Sequence, residues 1–318
     1  MIRQQKPGVS IVIPTYHRND TLRKAVSSAL AQTYPNIELV VVDDNPPESA
    51  WRTATQEILA EFAGDPRLRV VENEKNLGGA LSRNAGILAS SNEYIAFLDD
   101  DDEYMPERVE RQLPVFLKSN NEKLALVFCD AEMTFGRDVF MCYSRPRYKG
   151  CCLFEAMRDN CLAATSQWMV KKSALLKVGM FSNVSSKQDS TLILKLLAAG
   201  FEVDYVPEVL SRYCFYSMPR ISGLSLKNYR AEKAYYARCR ELFDRLTEEE
   251  QREVRYSFAK IFYRLSKANG DEEKEKEALH YMMKVKPAET VGDFIRNGMR
   301  KARWTVFPNG LPGEPGRG

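Results

Sequence analysis

Short apolar runs alternate with helical spacings along the first third of the chain. Val9 to Ile13 is a compact apolar run closed by Pro14, the pattern of a buried strand. Residues 21–33 place Leu22, Val26, Ala29 and Leu30 at helical spacing, with Asn19 or Asp20 as N-cap. Ile37 to Val42 reads as a second strand, closed by Asp43-Asp44-Asn45-Pro46-Pro47, and a helix follows to about Phe62. Gly64-Asp65-Pro66 makes a turn. Leu68 to Val71 reads as a third strand, Gly79 to Ala89 as a helix and Tyr94 to Leu98 as a fourth strand. This alternation predicts an α/β fold with a mostly parallel central sheet flanked by helices.

From about residue 104 to 215 the pattern is mixed. Glu107 to Leu117 reads as helix, Leu124 to Cys129 and Gln167 to Val170 as strands, and Lys172 to Val178 and Ser190 to Ala199 as helices. Val203 to Val206 is the last predicted strand, ending at Pro207. After Leu226 the chain becomes helical and strongly charged, with a capping box in Thr247-Glu248-Glu249-Glu250 and a stop signal in Asn269-Gly270. The pattern divides the chain into an α/β domain over 1–225, with halves 1–103 and 104–225, a helical region over 226–307 and a Pro/Gly-rich tail over 308–318 expected to be disordered.

Ligands of parallel sheets bind at the carboxyl ends of the strands. Three polar clusters fall there: Thr15-Tyr16-His17-Arg18, Asp43-Asp44 and Asp99 to Asp102. Each alone reads as a solvated turn; their shared placement is what points to a site. Composition narrows the chemistry. Of 318 residues only His17 and His280 are histidines, which argues against a Ser-His-Asp triad and a His-rich zinc site and leaves proton transfer and metal binding to carboxylates. The seven cysteines are odd in number and show no CxxC spacing, so they read as reduced packing thiols. A net charge of +3 gives no case for a nucleic-acid partner. The N-terminal residues lack the apolar core of a signal peptide and no apolar stretch is long enough to span a bilayer, so the expected location is cytoplasmic.

The acidic run is ambiguous by itself. Four adjacent aspartates repel one another unless a cation or donors sit among them. Hard cations such as Mg²⁺ and Mn²⁺ bridge one or two carboxylates to substrate phosphates, and Asp99 and Asp101 share a side if the chain stays extended. The competing reading, slightly favoured for the run alone, is a solvated turn capping the helix that starts near Pro106. Gly78-Gly79 opens a helix whose N-terminus suits an anion, and Arg83 lies one turn in. In isolation Arg83 reads more simply as a surface ion pair. The glycines are not GxGxxG, which argues against a dinucleotide site.

Several of these segments occur together in one known order. Val-Ser-Ile-Val-Ile-Pro-Thr-Tyr-His-Arg (9–18), Gln32-Thr33-Tyr34-Pro35-Asn36-Ile37-Glu38, Val-Val-Val-Asp-Asp-Asn (40–45), Asn76-Leu77-Gly78, Ser82-Arg83-Asn84-Ala85-Gly86 and Tyr-Ile-Ala-Phe-Leu-Asp-Asp-Asp-Asp (94–102) closely resemble the family 2 inverting glycosyltransferases of the GT-A fold, over roughly residues 8–215. The resemblance implies a nucleotide-binding half over 1–103 and an acceptor-side half over 104–225. It implies that Pro14, Thr15 and Tyr16 line the nucleobase pocket, that Asp44 accepts from the base, and that Asp43 supports the ribose. Arg83 would reach the base or the phosphates, Asp100 the ribose, and Asp99 and Asp101 would hold Mn²⁺ or Mg²⁺ on the donor diphosphate. Asp102 would be left to cap the next helix. The Gly179-Met180-Phe181 and Gln188-Asp189 segments match the family's second-half pattern, which makes Asp189 the expected catalytic base; the residue-level alternative is a helix cap.

The chain departs from the family pattern at Gln188 (usually Glu), Lys195 (usually Arg), His17 (usually Asn) and Cys214-Phe215-Tyr216 (often Arg-x-His). Arg212 or Arg220 would be substitutes for that last motif. The implied function is inverting transfer from a nucleotide-sugar donor, a UDP-sugar first, to a hydroxyl of a glycan or lipid-linked acceptor in bacterial surface polysaccharide synthesis. The alternatives are a non-catalytic sugar-nucleotide-binding scaffold and a nucleotidyltransferase, the latter disfavoured because Thr15-Tyr16-His17-Arg18 is not a Gly-rich basic loop. The basic and aromatic segment 288–307 suits peripheral contact with an anionic membrane face, against the simpler reading of a helical cover with a solvated basic face.

Overall fold

The computed structural model describes residues 6–136, 139–215 and 225–295. The chain divides into two compact units, Met1–Ile221 and Ser222–Gly318.

The first unit is built on one nine-stranded sheet. Its amino-terminal part holds β1 (Val9–Thr15), β2 (Ile37–Asp43), β3 (Leu68–Glu72) and β4 (Tyr94–Phe97) in the order β3-β2-β1-β4, all parallel. The apolar runs become strands because both faces are covered: every residue of β1 is buried. Helices α1 (Asn19–Leu30), α2 (Ala50–Ala60) and α3 (Gly79–Ala89) supply that cover, α1 through Leu22, Ala25, Val26 and Ala29. Helix α3 lies so close to the sheet that a Cβ on Gly86 would fall 2.3 Å from Val12 Cγ1. The expected caps of α1 are not used. Arg18 holds the N-cap position without a side-chain bond, and the Asn19 side-chain Oδ1 accepts from the Thr55 hydroxyl of α2.

Beyond β4 the order continues β8-β6-β9-β5, with β7 on β6. These are β5 (Glu103–Tyr104), β6 (Leu124–Phe135), β7 (Val139–Ser144), β8 (Trp168–Lys171) and β9 (Glu202–Phe215). Here β8 is antiparallel to β4 and β6, whereas β6 and β9 are parallel. Strand β9 does not stop at Pro207. Its register against β6 jumps from Cys129↔Val206 to Asp130↔Val209, so the proline sits in a bulge where its missing N–H breaks no ladder bond. Helices α4 (Arg108–Lys118), α5 (Leu153–Asp159), α6 (Lys172–Lys177) and α7 (Gln188–Ala198) complete the unit.

The second unit holds α8 (Leu226–Arg240), α9 (Glu248–Ala268), α10 (Glu272–Val285) and a helical stretch over residues 287–295. The capping box forms: Thr247 N–H donates to Glu250 at 2.8 Å, and the Glu250 N–H donates to Thr247 Oγ1 at 3.3 Å. Tyr256, Ala259 and Met282 pack α9 on α10. Among the described residues no helix is long and apolar enough to cross a membrane. Arg220, most of the basic and aromatic segment (296–307) and the 308–318 tail lie outside the described residues.

Candidate active site

The three strand ends meet at one edge. Thr15 of β1 lies opposite Asp43 of β2, and the Leu98 N–H donates to the Val12 carbonyl, which sets the acidic run beside the end of β1. The Tyr16 N–H donates to Asp100 Oδ2 at 3.3 Å. Pro14 and Thr15 themselves are buried within β1, so of the three residues expected to line a nucleobase pocket only Tyr16 presents its ring to solvent.

That ring is part of a stack. Tyr16 and His17 lie 3.8 Å apart at 17°, and His17 and Trp51 lie 4.8 Å apart at 26°. His17 adopts φ +56°, a left-handed conformation costly for a residue with a Cβ. It is held there by the rings on either side and by its N–H, which donates to Asn45 Oδ1 at 3.1 Å. Trp51 carried no motif signal; its position just after the Asp43-Asp44 turn is the clue that could have flagged it.

The two aspartates of that turn serve different neighbours. Asp43 is fully buried, accepts from the Asn45 backbone and side chain at 2.9 and 2.8 Å, and lies 3.1 Å from Arg52 Nε. Burial pushes its carboxyl above the ordinary value, although Asn45 and Arg52 pull the other way. Arg52 is itself buried and also donates to the carbonyls of Asn45 and Asn73, tying the ends of β2 and β3 together. Its place on the face shared by Thr55, Ile58 and Leu59 marks it in the sequence as an inward-facing arginine. Asp44 accepts from Asn73 Nδ2, Leu77 N–H and Gly78 N–H, each at 2.8 Å. Its carboxylate thus pins the Asn76-Leu77-Gly78 loop at the start of α3, and of its roughly four lone-pair positions one is left for a ligand.

The acidic run is not a solvated turn. Arg83 of α3 pairs with Asp99, and Arg18 pairs with Asp101 at 3.3 Å. Arg83 also donates to Gln188 Oε1 at 3.2 Å, lies 5.6 Å from the Phe181 ring centre and feels the charges of Asp100 and Asp189. Burial alone would lower its pKa, but these carboxylates hold it above the ordinary value. Desolvation, then the charge of Asp101, pushes Asp100 up to about 8. Asp102 does not cap the next helix. It is buried, and its Oδ1 accepts from the Cys214 N–H of β9 at 3.0 Å. The cap position of α4 is Glu107, which makes no side-chain cap bond. Burial raises Asp102 well above the carboxylate range. Ser166 stands behind the run, taking the Asp99 N–H on its hydroxyl at 3.1 Å.

Asp189 sits in the first turn of α7, one residue past the Lys187 and Gln188 boundary. Its Oδ1 accepts the N–H of Ser190 at 2.8 Å, and its Oδ2 is 3.7 Å from Cys161 Sγ. Burial raises the Cys161 thiol, so it stays a neutral S–H donor. Arg212 is committed elsewhere, to Glu132 and Glu103.

The site fits a hard divalent cation. Among the described residues no three His, Cys, Asp or Glu side chains form a ready-made cage. Asp99 and Asp101 instead supply hard oxygen donors of the kind such a cation takes, each paired here with an arginine.

Comparison with known proteins agrees with this architecture. Residues 10–172 match the family described as Glycosyl transferase family 2. The chain is 38% identical over 112 residues, 35% of its length and 42% of the relative's, to the UDP-Glc:alpha-D-GlcNAc-diphosphoundecaprenol beta-1,3-glucosyltransferase WfgD of Escherichia coli. Its fold resembles that of S. aureus TarS 1–349 in complex with UDP-GlcNAc, with a TM-score of 0.63 at 16% identity, covering 87% of this chain and 81% of that one. It also resembles the mannosyltransferase PcManGT from Pyrobaculum calidifontis in complex with GDP-Man and Mn²⁺, with a TM-score of 0.58 at 16% identity, covering 94% and 81%. Both structures show the GT-A fold.

Proposed function

The chain belongs to glycosyl transferase family 2 and is a glycosyltransferase, and on that premise we propose that it moves a sugar from a UDP-sugar to a hydroxyl of a glycan or lipid-linked acceptor in bacterial surface polysaccharide synthesis. The observation that most supports this reading is the place of Arg83, which joins the acidic run at Asp99 to the first turn of α7, where Asp189 stands. One cation thereby links the diphosphate side to the acceptor side. The Escherichia coli relative, a glucosyltransferase named for a UDP-glucose donor and a diphosphoundecaprenol-linked acceptor, supports the choice of donor and acceptor.

In this reading Tyr16 stacks on the base, backed by His17 and Trp51, while Pro14 and Thr15 form the floor beneath it. Asp44 offers its remaining lone pair to the base N3–H, and Asp43, held by Asn45 and Arg52, supports the ribose side. Asp100 receives a ribose hydroxyl. Asp99 and Asp101 would hold Mn²⁺ or Mg²⁺, which would neutralise the diphosphate as a Lewis acid. Arg83 and Arg18, beside those carboxylates, would be the cations nearest the phosphate oxygens. Asp189 takes the proton of the acceptor hydroxyl as that oxygen attacks the anomeric carbon. The bond to the diphosphate breaks on the opposite face, its electron pair leaves on the phosphate oxygen, and the configuration inverts in a single displacement. In the same reading the enzyme works in the cytoplasm, peripheral to the inner membrane face, with the basic segment 288–307 as one contact.

Proton NMR of the glycoside formed from an α-configured UDP-sugar tests the stereochemistry. A β-linked product is expected; an α-linked product contradicts the role given to Asp189.

A further inference from the structure

The β6–β7 hairpin carries apolar side chains on both faces. Cross-strand pairing places Phe140 with Thr134 and Tyr143 with Glu132 on one face, and Val139 with Phe135 and Cys142 with Met133 on the other. A register shift inserts Met141 as an extra residue, which brings the Phe140 and Tyr143 rings to 4.8 Å on the same face. Phe135, Val139, Phe140, Met141 and Tyr143 are each between 42% and 52% exposed. Among the described residues β7 pairs with β6 alone. Clustered exposed apolar side chains of this extent mark an interaction site.

Two observations choose the occupant. Apolar side chains on both faces suit a medium that surrounds the hairpin better than a flat protein surface, which covers one face. The head-group and acyl boundary of a bilayer closes around both faces, and aromatic side chains favour that zone. The charge agrees. Residues 139–152 hold Arg145, Arg147 and Lys149 and no acidic residue, although Arg147 is paired with Asp130 of β6. Arg145 lies 4.6 Å over the Tyr143 ring, and Lys149, although paired with Asp204, keeps its amine largely exposed. Cations at the root of an apolar hairpin suit anionic lipid head groups.

The location gives the contact a purpose. Thr134 pairs with Cys214, whose N–H donates to Asp102 of the acidic run. The hairpin therefore leaves the sheet at the level of the site. We propose that this hairpin is a lipid-docking element that seats the site's mouth on an anionic membrane surface. It goes beyond the sugar-transfer reading and is tested without donor or acceptor, so either can fail alone.

The test is co-sedimentation of the full chain with phosphatidylglycerol/phosphatidylcholine vesicles, with Phe140→Ser/Tyr143→Ser as the hairpin variant. Both side chains are already exposed, and circular dichroism checks the fold. A second measurement places an environment-sensitive fluorophore on Cys142 in a Cys151→Ser background. The expected result is vesicle binding that falls about tenfold or more in the variant, with a blue shift of the fluorophore on vesicles. No binding by the unaltered chain overturns the proposal. So does binding that survives the hairpin change but is lost in Arg300→Gln/Lys301→Gln, or a dimer that the hairpin change dissociates while vesicle binding is unaffected.

Discussion

Arg83 and Asp99 form an ion pair at 2.5 Å between the first turns of α3 and the end of β4. The same guanidinium reaches Gln188 on α7, so one side chain holds together both sides of the site.

With Asp99 as a proposed metal ligand, Arg83 and the ion would compete for the same carboxylate. Arg83→Gln should therefore tighten binding of bare Mn²⁺ by about threefold to tenfold, the effect of removing one partly solvated positive charge. It should weaken binding of UDP in the presence of Mn²⁺, because the phosphate partner is gone. Calorimetric titration of each checks this. Weaker binding of both would mean that Arg83 only supports the fold.

Asp189→Asn keeps the Oδ1 acceptor for the Ser190 N–H and removes the proposed proton acceptor. Transfer should fall by about 10²–10⁴-fold with UDP affinity nearly unchanged. If UDP affinity collapses along with turnover, Asp189 belongs to the donor site or to the fold.

Asp44→Ala removes one carboxylate from three donors, Asn73, Leu77 and Gly78. Hydrogen bonds to a charged group contribute about 1.5–3 kcal/mol each and are not additive, so a loss near 3 kcal/mol in urea unfolding is expected. A variant of unchanged stability that fails to bind UDP would assign Asp44 to the ligand alone.

Arg52→Met leaves Asp43 buried without its cation. The expected cost is about 3–5 kcal/mol at neutral pH, with much of it restored by adding Asp43→Asn. The pH dependence has a defined sign. Burial already raises Asp43 above 3.8, so across that window the native state holds more protons than the unfolded state, and stability falls as pH rises. Losing Arg52 raises Asp43 further, so the variant's deficit should shrink in acid. A deficit that does not depend on pH contradicts the pairing.

The sequence pattern carried the parallel half of the fold because strands buried on both faces are unbroken apolar runs. β2, β3 and α3 begin where the pattern begins, and β1 runs two residues past the expected Ile13 to Thr15. It failed where tertiary contacts override local signals. Pro207 reads as a strand end, yet a bulge absorbs it and β9 runs to Phe215. The β6–β7 hairpin was not expected, since its apolar residues sit where no core covers them. Asp102 has the composition of a cap and the burial of a tether, a difference visible only once β9 is placed beside it. Trp51, Arg52 and Cys161 gained roles from neighbours distant in sequence, among them His17, Glu72 and Asp189.

The most direct measurement is release of nucleoside diphosphate from a panel of sugar nucleotides, with Mn²⁺ and after thorough chelation. The account predicts turnover of at least one UDP-sugar, lost on chelation and restored by Mn²⁺. Binding without turnover for every donor and acceptor, or full turnover in chelator, would contradict it.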